Sequence, residues 1–122
     1  MKLAKILLTA IFLIALNSAQ AQTKTLTFPD WGVAGYDVAT YYYIPATETY
    51  YDIKNKEYVY MREGKWVRSN TMPVEYVDYD LYNGYKVVLT DENEPFPHYN
   101  YLKSKYPKTY KGKPQKTIKP KK

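Results

Sequence analysis

The 122-residue sequence contains no cysteine. It therefore has no disulfide, no thiolate metal site and no thiol nucleophile, and its stability must come from packing alone. Histidine occurs once, at His98, and serine beyond residue 21 occurs only at Ser69 and Ser104. A hydrolytic triad needs a nucleophile beside a base and a third group that orients the base. Neither serine sits in a nucleophile-elbow context, and His98 reads as a loop residue. The five glycines are scattered, so no phosphate-cradling loop or dinucleotide fingerprint is present. Acids are missing from the C-terminal end: all twelve lie between Asp30 and Glu94. After residue 21 no stretch nears the roughly 18 apolar residues of a membrane-spanning helix. No internal repeat points to a solenoid or propeller.

What the first 21 residues do contain is an export pattern. Lys2 and Lys5 form a positive start, Ile6 to Leu16 is an apolar core broken only by Thr9, and Ala19-Gln20-Ala21 is an A-x-A exit. The core is too short to span a bilayer. The expectation is a secretory signal peptide over residues 1–21, with the mature chain starting at Gln22. No cysteine follows the apolar run, which excludes a lipoprotein anchor. The mature protein is then expected in the periplasm or outside the cell, soluble or peripheral on a membrane.

Charge divides the remainder. Residues 22–102 carry seven bases against twelve acids, a net charge of −5. Residues 103–122 carry nine lysines and no acid, a net charge of +9: Lys103, Lys105, Lys108, Lys111, Lys113, Lys116, Lys119, Lys121 and Lys122. Pro107, Gly112, Pro114 and Pro120 oppose helix, and apolar content is nearly nil apart from Tyr106, Tyr110 and Ile118. Such a composition buries too little surface to offset chain ordering, so the tail is expected to be disordered or extended. Its lysines are candidates for binding anionic surfaces: lipopolysaccharide, lipid headgroups or acidic glycans. The acidic body disfavours nucleic acid.

Tyrosine is the abundant residue, at 16 positions. Tyrosines and β-branched residues fall in short runs between turn formers, the pattern of an antiparallel meander. The runs predict strands over 36–44, 47–53, 57–62, 65–69 and 85–90, with a tight hairpin at Glu63-Gly64. Leu26 and Phe28 are placed on a possible edge strand, and residues 74–84 read as irregular strand or helical turn. Residues 98–102 read as a last short strand or the start of the tail. The fold class is mainly β: a small antiparallel meander of about five strands, an open barrel or a twisted sheet, after an N-terminal signal helix and before a disordered tail. The domains are residues 1–21, 22–102 and 103–122.

In the first strand the period-2 rule favours Tyr36, Val38, Thr40, Tyr42 and Ile44 as the core face. The other face then exposes Tyr41, Tyr43 and Tyr50, with Trp66, as an aromatic platform suited to sugar rings or a protein partner. The alternative is that the lead-in at Trp31 and residues 74–102 cover that face. Residues 78–84 approach a calcium-loop pattern, but Gly84 is one place late and Tyr82 takes a ligand position. Scattered acids do not make a glycosidase pair. No cofactor and no catalysis are expected. The function expected is an exported, non-enzymatic envelope module combining an aromatic surface with a polycationic tail. A carbohydrate-binding accessory or small glycan-active enzyme, and an edge-strand assembly subunit, are the alternatives.

Tyr41 to Pro45, Tyr50 to Asp52, the Gly64-x-Trp66 step and Met72-Pro73 together resemble a pattern in short exported proteins of unknown function from Bacteroidota. Those proteins share a Y-Y-Y-x-P start, a Y-Y-D hairpin, a G-x-W step and a downstream Leu-Pro or Met-Pro. The resemblance covers about half of the mature chain and implies an exported β protein. It brings no activity with it.

Overall fold

The computed structural model describes residues 26–91 and 93–122. The expected signal peptide and its helix lie outside these residues. Five antiparallel strands form one open sheet: β1 (Tyr41–Ile44), β2 (Thr49–Asp52), β3 (Glu57–Arg62), β4 (Lys65–Ser69) and β5 (Val87–Leu89). Their order is β4-β3-β2-β1-β5. The first four strands are a meander, and β5 returns to pair with β1. The sheet is open and does not close on itself.

Local chemistry sets each turn. Pro45 stops β1 and opens a 3-10 turn, Pro45–Thr47, which Glu48 closes at φ 50°. Between β2 and β3 the Asp52 carboxylate accepts from the Asn55 backbone N–H (3.1 Å) and side-chain amide (2.8 Å). Glu63 (φ 52°) and Gly64 (φ 76°) are both left-handed, as a two-residue type I′ hairpin requires. The hairpin fixes the β3–β4 register, Arg62 opposite Lys65 and Tyr58 opposite Ser69.

The strands β1 and β2 are buried on both faces. Partners across strands share a face, so Tyr43, Tyr50 and Val59 lie together, as do Tyr42 and Tyr51. Trp31, Val33, Ala39 and Ile53 cover the Tyr42/Tyr51 face. Phe96, Tyr99, Leu102 and Tyr106 cover the other. Burying each such ring removes on the order of 150–250 Å² from water.

Two sequence expectations are corrected, and a third, left open between strand and helical turn, is decided. Residues 36–40 form turns rather than the start of β1; Tyr36 and Val38 are exposed. The Thr40 hydroxyl donates to the carbonyls of Leu89 (3.1 Å) and Asp91 (2.6 Å), which ends the β1–β5 ladder. Residues 98–102 are not a strand. Pro95 caps a 3-10 turn, Phe96–His98, that contains Pro97 and leads into helix α1, Tyr99–Lys105. Phe96, Tyr99, Leu102 and Tyr106 recur every three or four residues, a helical stripe. Residues 74–84 hold a 3-10 turn, Val74–Tyr76, followed by further turns.

The tail is an ordered, extended strap rather than a disordered segment, and the charge boundary at Leu102 falls inside α1. Val33 and Thr117 form an antiparallel bridge. Ala34 N–H donates to Lys116 C=O (2.8 Å), Ile118 N–H to Gly32 C=O (2.9 Å) and Lys119 N–H to Asp30 C=O (2.9 Å). The Gln115 amide takes the place of a strand beside Lys86: it accepts from the Lys86 N–H (2.9 Å) and donates to the Lys86 C=O (2.8 Å). Composition missed this because backbone pairing, one amide side chain, two tyrosines and three ion pairs, rather than a run of apolar residues, hold the segment.

Candidate functional site

The proposed aromatic platform is not at the surface. Tyr43 and Tyr50 are fully buried and Tyr41 is 8% exposed; Trp66 is partly buried. Helix α1 and the turn before it lie over them. Trp66 stacks on Phe96 at 4.9 Å between ring centroids and meets Tyr99 edge-on at 4.8 Å. Tyr50 donates its hydroxyl to Pro95 C=O (3.2 Å). Burial pushes the Tyr43 and Tyr50 hydroxyls well above the ordinary phenol range. These rings are core, which corrects the expectation that they form a binding surface.

Next to Tyr41 lies a charged cluster with a structural role. The Arg68 guanidinium reaches Asp52 (2.9 Å), Glu94 (3.1 Å) and Glu57 (3.6 Å) and sits 5.6 Å over the Phe96 ring. Asp52 is almost wholly buried. Burial alone would raise its pKa, but hydrogen bonds from Asn55 and Arg68 outweigh burial and hold it below the ordinary carboxylate value. A cavity of about 250 Å³ beside it is lined by Leu26, Thr40, Tyr41, Asp52, Lys54 and Asn55.

The calcium-like loop is occupied by its own chain. The Asp80 carboxylate accepts from the Tyr82 and Asn83 N–H groups (3.1 and 3.3 Å), the Asn83 amide (2.7 Å) and Lys121 Nζ (2.9 Å). Lys121 and Asn83 bring its pKa down to about 2. Among the described residues no His, Cys, Asp or Glu trio is gathered to hold a metal, and His98 is exposed in its 3-10 turn.

The tail lysines divide into two groups. Three are tied to the body: Lys108 to Glu48 (3.9 Å) and the Tyr76 hydroxyl (3.3 Å), Lys119 to Asp30 (3.6 Å), and Lys121 to Asp80 (2.9 Å). No described acid pairs with Lys103, Lys105, Lys111, Lys113, Lys116 or Lys122. The Lys103 ammonium lies 4.4 Å from the Tyr99 ring centre, and Lys105 lies between Tyr101 (5.8 Å) and Tyr106 (5.5 Å).

A second aromatic cluster sits where the strap crosses the body. Tyr85, Tyr106 and Tyr110 touch pairwise: Tyr85–Tyr110 and Tyr106–Tyr110 at 5.0 Å, Tyr85–Tyr106 at 6.3 Å. Gly112 (φ 55°) lies against the Tyr85 ring, where a Cβ would come within 2.5 Å of two ring atoms. The sequence reading missed this cluster. Its signal was the interleaving of Tyr106 and Tyr110 with lysines, which was read only as low hydrophobicity.

No family model, curated protein or solved structure matches this chain. No helix among the described residues is long and apolar enough to cross a membrane.

Proposed function

We propose that the protein is a non-enzymatic module of the cell envelope, attached to anionic envelope material by the strap over residues 103–122. One observation carries this reading: six lysines without a described acid partner stand on a backbone segment already fixed to the body of the fold. Ordering a free chain costs roughly 1–2 kcal/mol per residue. A strap held by the Val33–Thr117 bridge and by Gln115 has met most of that cost before any ligand arrives. Near an anionic surface each lysine contributes about 1 kcal/mol, so six supply about 6 kcal/mol, a Kd on the order of tens of micromolar. The export pattern and the resemblance to exported Bacteroidota proteins support the envelope as its place of work.

Binding to dextran sulfate by the full chain and by a variant with those six lysines changed to glutamine tests the reading. Binding at low salt that the variant loses, and that about 1 M salt abolishes, is expected. Equal behaviour of the two chains would overturn it.

A second reading, edge-strand assembly, draws on β4. In a two-residue hairpin the closing pair is hydrogen-bonded, so Trp66 and Arg68 turn their backbone groups outward. No described residue pairs with that edge. Concentration-dependent sedimentation would support self-pairing there; a monomer at every concentration would exclude it.

A further inference from the structure

We propose that Tyr85, Tyr106 and Tyr110, with Lys105, Lys111 and Lys113, form a binding site for a linear acidic polysaccharide. The inference rests on the attachment reading above and names the ligand class and the place where it binds.

The three rings are held from three directions. Tyr85 leads into β5, Tyr106 follows the last turn of α1, and Tyr110 belongs to the strap. Their mutual contacts and the Gly112 approach fix them without burying them: Tyr85 and Tyr106 are partly exposed, and Tyr110 is 38% exposed. Phenols fixed in this way offer ring faces to sugar C–H groups and hydroxyls to sugar hydroxyls. Lysines adjoin the rings. Lys105 lies 5.5 Å from the Tyr106 ring centre, and Lys111 and Lys113 flank Gly112. Rings that take sugars beside ammoniums that take carboxylates or sulfates fit one polymer carrying both.

Charge separates this ligand from nucleic acid. Residues 22–102 carry a net charge of −5, which disfavours a duplex with a phosphate about every 3.4 Å along each strand more than a polymer with one acid per sugar or per pair of sugars. A lipid surface would favour large apolar side chains for insertion, and this patch offers only tyrosines. Ile118, the strap's one aliphatic residue besides its prolines, lies beside Phe28 and Val33 on the other side of the sheet.

The test is titration calorimetry of the full chain with polygalacturonate, with neutral dextran, and with vesicles rich in anionic lipid. Far-UV circular dichroism checks each variant's fold. Wild type should bind polygalacturonate and not dextran. Tyr110→Ala should weaken polygalacturonate binding about tenfold, the lower end of what ring stacking supplies elsewhere, and leave vesicle binding unchanged. Tyr110→Phe should keep most of the affinity. Lys111→Gln with Lys113→Gln should weaken both interactions. Unchanged polygalacturonate affinity in a folded Tyr110→Ala protein would overturn the site. Binding to vesicles but not to polygalacturonate would overturn it too and leave the attachment reading standing. Binding to neither at low salt would remove both.

Discussion

Lys86 should make the protein more stable as the solution turns alkaline, against the usual trend. Its side chain is 1% exposed, and its ammonium donates to the backbone carbonyls of Leu81 and Tyr82 (3.4 Å for Tyr82) with no carboxylate bonded to it. Burial pushes its pKa down from 10.5 to about 8, and Asp80 offsets this only in part. At 1.36 kcal/mol per pH unit, the charged form costs the folded state about 3 kcal/mol. In the unfolded chain Lys86 keeps its proton to about pH 10.4. Between that value and about 8 the unfolded state therefore holds the extra proton, and stability rises with pH. The rise is capped near pH 10, where unfolded tyrosines ionise while Tyr42, Tyr51 and the Tyr58 hydroxyl, pushed up to about 12, stay neutral in the fold. There the folded state holds more protons and stability falls. Urea unfolding followed by far-UV circular dichroism, from about pH 7 to about pH 9.5, reads the effect. About 2 kcal/mol of the effect falls in this window, so with a slope of about 1.5 kcal/mol per molar the midpoint should climb by about 1.3 M. Lys86→Met should flatten the climb. Its effect on stability at neutral pH is smaller, because two carbonyls lose a donor at about 1–3 kcal/mol each. A flat wild-type profile, or a climb that persists in Lys86→Met, would refute the reasoning.

Other perturbations test the packing. Tyr43→Phe should be neutral or stabilise by about 1 kcal/mol, because its buried hydroxyl has no hydrogen-bond partner; Tyr50→Phe should cost about 1 kcal/mol by losing Pro95. Denaturant midpoints of the pair decide it. Arg68→Met should destabilise by about 2 kcal/mol, discounted from the fully buried case because Arg68 is a third exposed. The stability that Asp52 contributes is present above about pH 3.9 and is lost as pH falls through its lowered folded value; Asp52→Asn should remove that part of the acid transition. Gly64→Ala and Gly112→Ala both force alanine into left-handed backbone, at about 1–2 kcal/mol. Only at Gly112 does the new methyl also meet a ring, so Gly112→Ala should lose more in thermal melts and expose Tyr85.

The strands with turn chemistry at both ends were legible in the sequence. Residues 57–62 and 65–69 are bounded by Lys54-Asn55-Lys56 and Glu63-Gly64, and both strands appear where the alternation put them. The first strand was drawn too long because Tyr36 and Val38 have strand-like chemistry but no partner beyond Leu89. The helix over Tyr99–Lys105 is hidden in the sequence because its apolar stripe begins at Phe96, between two prolines, and ends past the charge boundary. The binding surface failed for a related reason. Alternation says which side chains share a face, not what lies over it, and α1 covers Tyr43, Tyr50 and Trp66. The lysines were found; their ordering was not, because Gln115 and the Val33–Thr117 bridge leave no periodic trace.

The ordered strap carries the functional account, and amide hydrogen exchange reads it directly. The N–H groups of Ala34, Ile118 and Lys119, each bonded across the strap, should exchange far more slowly than those of an unstructured chain at neutral pH. Random-coil exchange at all three, in a protein whose β2 and β3 amides are protected, would contradict it.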